Sequence, residues 1–123
     1  MQMHASFPDE TRFVRVQLTG AWNVDDYPGV IDAIIEECET RRQNLLLIDF
    51  LELGWDRVST FDRFRMGTGA VTLAWKVSRL AALARPDQID PERFGERVAR
   101  NRGLNVRLFT DPQEAERWLL NGD

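Results

Sequence analysis

Leu45-Leu46-Leu47-Ile48-Asp49-Phe50 is the stretch that decides the fold. An unbroken aliphatic run closed by a carboxylate has no polar side to turn to water. It reads as a central strand covered on both faces, as in parallel sheets. Parallel neighbours need long crossovers, usually helical, so helices are expected on either side in sequence.

The flanks supply them. Upstream, Tyr27, Val30, Ile31, Ile34, Ile35 and Cys38 recur at helical spacing behind Pro28, with Asp25 and Asp26 at the positive end of the dipole. Glu36, Glu37, Glu39 and Thr40 face away from that stripe. Further upstream, Phe13-Val14-Arg15-Val16-Gln17-Leu18 alternates with period 2, a strand with one covered face that ends at Thr19-Gly20. Ala5-Ser6-Phe7 reads as its short partner, turned through Pro8-Asp9-Glu10.

Downstream, Leu51–Val58 reads as a loop and Ser59 as the N-cap of a second helix carrying Phe61, Phe64, Val71 and Trp75. Gly67 and Gly69 are expected to bend or interrupt it. Arg79-Leu80-Ala81-Ala82-Leu83-Ala84 is a further core strand. Asp90-Pro91 starts a third helix with Phe94 and Val98 inward and Gly103 as its stop. Asn105–Phe109 is the last strand. Asp111-Pro112-Gln113-Glu114 opens a final helix docked by Ala115, Trp118 and Leu119. Strands alternating with helices imply an α/β fold with a mostly parallel sheet of about four or five strands and one domain over residues 1–123. Leu46, Leu47, Ile48, Leu80, Leu83, Val106 and Leu108 are the expected sheet core, with Ile31, Ile34 and Ile35 against it.

Composition narrows the function. With 43% hydrophobic and 29% charged residues the chain is ordinary globular material. A formal net charge of −4 argues against nucleic-acid binding. Fifteen of the 16 basic residues are arginine, scattered among acids without a single-sign run. No leader pattern and no bilayer-length apolar run are visible, so the expected location is the cytoplasm.

Catalytic chemistry finds little to stand on. His4 is the sole histidine and Cys38 the sole cysteine, too few for a zinc site, and Cys38 lies on a buried stripe where thiols are inert. Gly67-Thr68-Gly69 echoes a phosphate loop but does not follow a strand and open a helix. Two features remain. Asp49 ends the central strand, at the edge where open α/β sheets place their sites. Ser59-Thr60 open a helix whose free N–H groups suit an anion. Neither needs a cofactor or metal.

The order of elements, with Thr19-Gly20, Leu46-Leu47-Ile48-Asp49, Gly54-Trp55, Val106-Arg107-Leu108-Phe109 and Ala115-Glu116-Arg117-Trp118-Leu119, resembles the STAS domain of anti-sigma-factor antagonists. The similarity is greater to the SpoIIAA-like branch of bacterial STAS/CRAL-TRIO-type proteins. This resemblance implies a SpoIIAA-like fold, with a mixed sheet and helices packed beside it, and a non-enzymatic regulatory or protein-interaction domain, for which a homodimer is an admissible state. In the antagonists an Asp-Ser-Ser-Gly segment carries a phosphorylatable serine. Here Arg57-Val58-Ser59-Thr60 stands near that place, without the flanking Asp and Gly. Asp49, Trp55, Ser59 and Thr60 are therefore the candidate interaction or regulatory residues. The CRAL-TRIO likeness implies the alternative, a small apolar ligand or lipid held between helices and sheet by Trp55, Phe61, Phe64 and Trp75.

Overall fold

The computed structural model describes residues 3–56 and 58–122; Arg57, part of the loop before the second helix, lies outside them. Five strands, β1 (His4–Ser6), β2 (Val14–Thr19), β3 (Leu45–Asp49), β4 (Arg79–Leu83) and β5 (Val106–Phe109), form one sheet in the order β1-β2-β3-β4-β5. β1 pairs antiparallel with β2, and every other pairing is parallel. The helices are α1 (Tyr27–Arg41), α2 (Thr60–Ala70), α3 (Phe94–Asn101) and α4 (Pro112–Asn121), with short 3-10 turns at Val71–Trp75 and Pro86–Gln88.

Side-chain alternation sorts the core into two layers. Val14, Val16, Leu46, Ile48, Leu80, Ala82 and Val106 share a cluster with Val30, Ile31, Ile34 and Cys38 of α1, Leu73, and Ala99 of α3. Phe13, Leu47, Ala81 and Leu83 face the other way, against Ala115, Trp118 and Leu119 of α4. β3 and β4 are thus buried on both sides, as the aliphatic run requires. β2 buries Val14, Val16 and Leu18 while Gln17 and Thr19 stay exposed. The expected sheet core is in place, with Leu108 and Ile35 only partly buried.

Three local expectations are corrected. α2 runs unbroken through Gly67 and Gly69 to Ala70, because both glycines are places of close approach. A Cβ on Gly69 would sit 2.6 Å from the Tyr27 ring. α3 begins at Phe94 rather than at Asp90-Pro91. Asp90 stays outside as a turn residue, its carboxylate accepting from the Phe94 N–H at 3.1 Å. The third concerns Trp75 and Phe61, which point outward, 89% and 62% exposed. From Val71 the helix tightens to 3-10, and each such residue turns about 120° instead of 100°, so the stripe reaching Trp75 swings off the core.

Candidate functional site

Asp49 is buried at the end of β3, and one carboxylate oxygen accepts the Leu51 N–H at 2.9 Å. Its job there is to hold the loop that follows. Phe50 N–H donates to the Leu83 carbonyl at 2.8 Å and continues the ladder one step beyond the strand. The loop then crosses to the end of β2, where Trp22 N–H donates to the Gly54 carbonyl at 3.0 Å and Gly54 N–H to the Gly20 carbonyl at 2.7 Å. These bonds place Trp55, half-buried, edge-on to Phe50 with ring centroids 6.2 Å apart. The Arg63 guanidinium of α2 lies 5.6 Å from the Trp55 ring centroid, within cation–π range.

Ser59 caps α2 as its sequence position implies. Its hydroxyl accepts from the Asp62 N–H at 3.0 Å, while the Asp62 carboxylate accepts from the Ser59 N–H and hydroxyl, both at 2.9 Å. This is a reciprocal capping box, in which Asp62 supplies the half that the N-cap serine alone does not announce. The Ser59 N–H holds the Asp62 carboxyl below its usual range. An anion arriving here meets a carboxylate already seated, so the box works against phosphate at Ser59. Thr60 is the first residue of α2 and is exposed.

Between the sheet and α2/α3 lies a cavity of about 110 Å³. Ile48, Leu80, Ala82, Ala84 and Val106 form its buried floor, and half-buried Trp55, Arg63, Ile89 and Asp90 stand around it. Gly67, Gly95, Ala70 and Ala99 line the helix side. The space exists because these residues are small. Of the aromatics expected to line a pocket, Trp55 does so; Phe61, Phe64 and Trp75 do not.

Around the cavity the charged and amide side chains and the Tyr27 hydroxyl are engaged by the protein itself. Gln88, 3% exposed, donates to the Phe50 carbonyl at 2.8 Å and the Leu53 carbonyl at 3.2 Å, and accepts from Arg85 N–H at 2.7 Å. Arg63 donates to the Gln88 carbonyl at 2.9 Å and lies 3.4 Å from the Asp90 carboxylate. Glu96 accepts from the Leu108 N–H at 2.9 Å. Tyr27 donates its hydroxyl to the Met66 carbonyl at 2.6 Å, and burial pushes its phenol above the ordinary range. Gln88 and Arg63 had no signal in sequence, since a polar residue in a loop and a charge on a helix look like solvated surface.

On the outer side of α2, Phe61 and Phe64 stack with centroids 6.5 Å apart and planes 27° apart. Arg65 lies 5.8 Å from the Phe61 ring and Arg102 lies 5.6 Å from the Phe64 ring. No cluster of three or more His, Cys, Asp or Glu side chains suited to a metal occurs among the described residues. No helix there is long and apolar enough to cross a membrane.

No protein-family model matches the chain, and a search of curated proteins finds no significant relative. Among solved structures, the chain is similar to a DUF3478 family protein with a SpoIIAA-like fold from Shewanella loihica PV-4. The two share 18% identity with a TM-score of 0.57, over 95% of this chain and 93% of that one. At that identity the likeness speaks for the backbone. With five strands in chain order, a mixed sheet and four helices, the chain has the SpoIIAA-like α/β fold inferred from its sequence.

Proposed function

We propose that the chain is a non-enzymatic STAS-like interaction module that docks a protein partner on the outer face of α2. The observation that supports this most is Phe61, 62% exposed at the first turn of a well-capped helix and extended by its stack on Phe64. A ring as exposed as Phe61 is the kind of anchor that interfaces bury, and the half-buried Phe64 widens the apolar surface beside it. Asp49 and Ser59 then act as supports. The aspartate fixes the loop leading to α2, and the serine fixes the helix end that presents the rings.

The lipid alternative has weaker support. Drug-sized ligands occupy pockets of about 300 Å³ or more, whereas the cavity measures about 110 Å³. A lipid chain would have to part α2 from α3 where the two helices are closest.

Affinity capture from a lysate of the source cells, with wild type and Phe61→Glu side by side, tests the docking face. A protein retained by wild type and lost from an equally stable Phe61→Glu supports it. Identical capture by both would place docking elsewhere.

A further inference from the structure

We propose that the docking face on α2 receives an acidic protein segment, in which an apolar side chain meets Phe61 and carboxylates on either side of it meet Arg65 and Arg102. This rests on the docking reading above and names the chemistry of the partner. The rings and guanidiniums are strung together. Arg65 lies 5.8 Å from the Phe61 ring, Phe61 stacks on Phe64 at 6.5 Å, and Arg102, the C-cap of α3, lies 5.6 Å from the Phe64 ring. A guanidinium laid over a ring is steadied by its face and keeps its N–H donors at its edge, where a carboxylate accepts two at once. Both side chains are exposed, and neither forms an ion pair among the described residues. By contrast, Arg12, Arg15, Arg41, Arg63, Arg85 and Arg93 each have a carboxylate within 3.7 Å.

Charge across the helical layer is uneven in the direction this requires. α1, which packs on β1 and β2, carries Asp32, Glu36, Glu37 and Glu39 against one arginine. The stretch 93–102, which includes α3 and packs on α2 and β5, carries four arginines against Glu96 alone. That glutamate already accepts from the Leu108 N–H. A chain of net charge −4 therefore gathers positive charge beside the helix that displays Phe61. A neutral partner would cover the two guanidiniums without pairing them, and a basic one would be repelled. The net charge also disfavours a polyanion. A nucleic acid or an anionic bilayer is negative along its whole extent and meets the acidic remainder of the chain, whereas a few carboxylates on a folded partner meet only the arginines.

A random peptide library displayed on phage, selected on wild type, on Phe61→Glu and on an Arg65→Glu/Arg102→Glu double variant, tests this. Wild type should enrich peptides with aspartate or glutamate on both sides of an apolar residue, and both variants should lose them. The best peptide should bind the charge-reversed double variant at least about tenfold more weakly, and Arg65→Lys/Arg102→Lys, which keeps the charge, within about threefold of wild type. Thermal melts check that each variant is folded, and the composition of the peptides enriched on wild type needs no variant. Neutral or basic peptides that Phe61→Glu still loses would leave the docking face standing and overturn its acidic partner. Acidic peptides retained equally by Phe61→Glu would overturn the docking face and the partner together. The acidic partner also falls if nothing is enriched, or if a single-stranded oligonucleotide or phosphatidylserine vesicles bind wild type more tightly than the best peptide does. Self-association of wild type that the charge-reversed variant loses would put a second copy on the arginines instead.

Discussion

A Cβ on Gly67 would stand 2.7 Å from the carbonyl oxygen of Gly95, inside the contact distance that any real side chain keeps. The helices α2 and α3 therefore meet backbone to backbone, with Val98 closing on the same spot at 2.9 Å. Gly67→Ala should destabilise the protein by about 1–3 kcal/mol, because a backbone carbonyl has little room to yield. Gly29, on α1, has nothing within 4 Å, and Gly29→Ala should stabilise by about 0.5–1 kcal/mol through helix propensity alone. Chemical denaturation of the two variants checks the contrast; two gains of equal size would mean the helices are further apart than described.

At Ser59 the decisive variant is asparagine against aspartate. Asparagine accepts from the Asp62 N–H and donates to its carboxylate, so Ser59→Asn should be near neutral. Aspartate accepts but cannot donate, and sets a second carboxylate against the first. Ser59→Asp should cost about 0.5–2 kcal/mol at neutral pH, like the loss of a cap. Part of that deficit should close on acidification, as either carboxylate takes up a proton. In wild type the Asp62 carboxyl is held low, so its contribution is present above the ordinary aspartate value and fades as pH falls through the lowered one. Thermal melts of both variants across pH measure this.

Leu47 and Ile48 are neighbours on β3 that look to opposite layers. Leu47 is fully buried beneath α4, and Leu47→Ala should cost toward the upper end of roughly 2–5 kcal/mol. Ile48 already borders the cavity, so its removal forfeits fewer contacts and Ile48→Ala should fall near the lower end. Urea unfolding below about 1 kcal/mol at both positions would contradict the burial of the strand.

Cys38, 3% exposed on the inner face of α1, has its thiol pushed up to about 11 by burial, with Glu37 adding to the effect. Native labelling should be slow and should become fast only in denaturant. The sign of the pH effect follows from which form the fold prefers. The folded state favours the neutral thiol, so its contribution is intact below the ordinary thiol value near 9 and is lost as pH rises toward 11. Cys38→Ala should flatten that alkaline segment of the stability curve.

The strands were legible because burial on two faces demands an unbroken aliphatic run, and burial on one demands alternation. Leu45–Asp49 and Val14–Thr19 carry those patterns whatever surrounds them. α2 was harder because it packs by its smallest residues. Hydrophobicity picks out Phe61 and Trp75 as the inner face, whereas Gly67 is the buried residue and both rings look outward. The closeness of α3 explains the burial of Gly67, and the 3-10 turn from Val71 swings Trp75 outward; neither is encoded in the hydrophobic spacing of α2. Asp90-Pro91 has the composition of a helix start, but the chain makes one more turn before Phe94, a choice fixed by the bonds from Asp90 to Arg63 and Phe94. At the candidate site, Trp55 lies beside the Gly54 turn that its sequence position indicates, and it lines the cavity. Its neighbours Gln88 and Arg63 come from other segments and are joined to it only by folding.

Each strand after β1 pairs with the strand before it in the chain, so each finds a neighbour already made. Such an order lends itself to assembly from the amino end as the chain leaves the ribosome, each parallel strand joining the sheet after one helical crossover. One piece arrives late. α4 alone covers Phe13, Leu47, Ala81 and Leu83, and it follows all five strands. Until it emerges, the growing sheet carries a naked greasy side, and that interval is when the nascent protein is most exposed to aggregation and to chaperones. Chains stalled just before Pro112 should bind a hydrophobic dye and crosslink to chaperone, and chains extended past Gly122 should do neither.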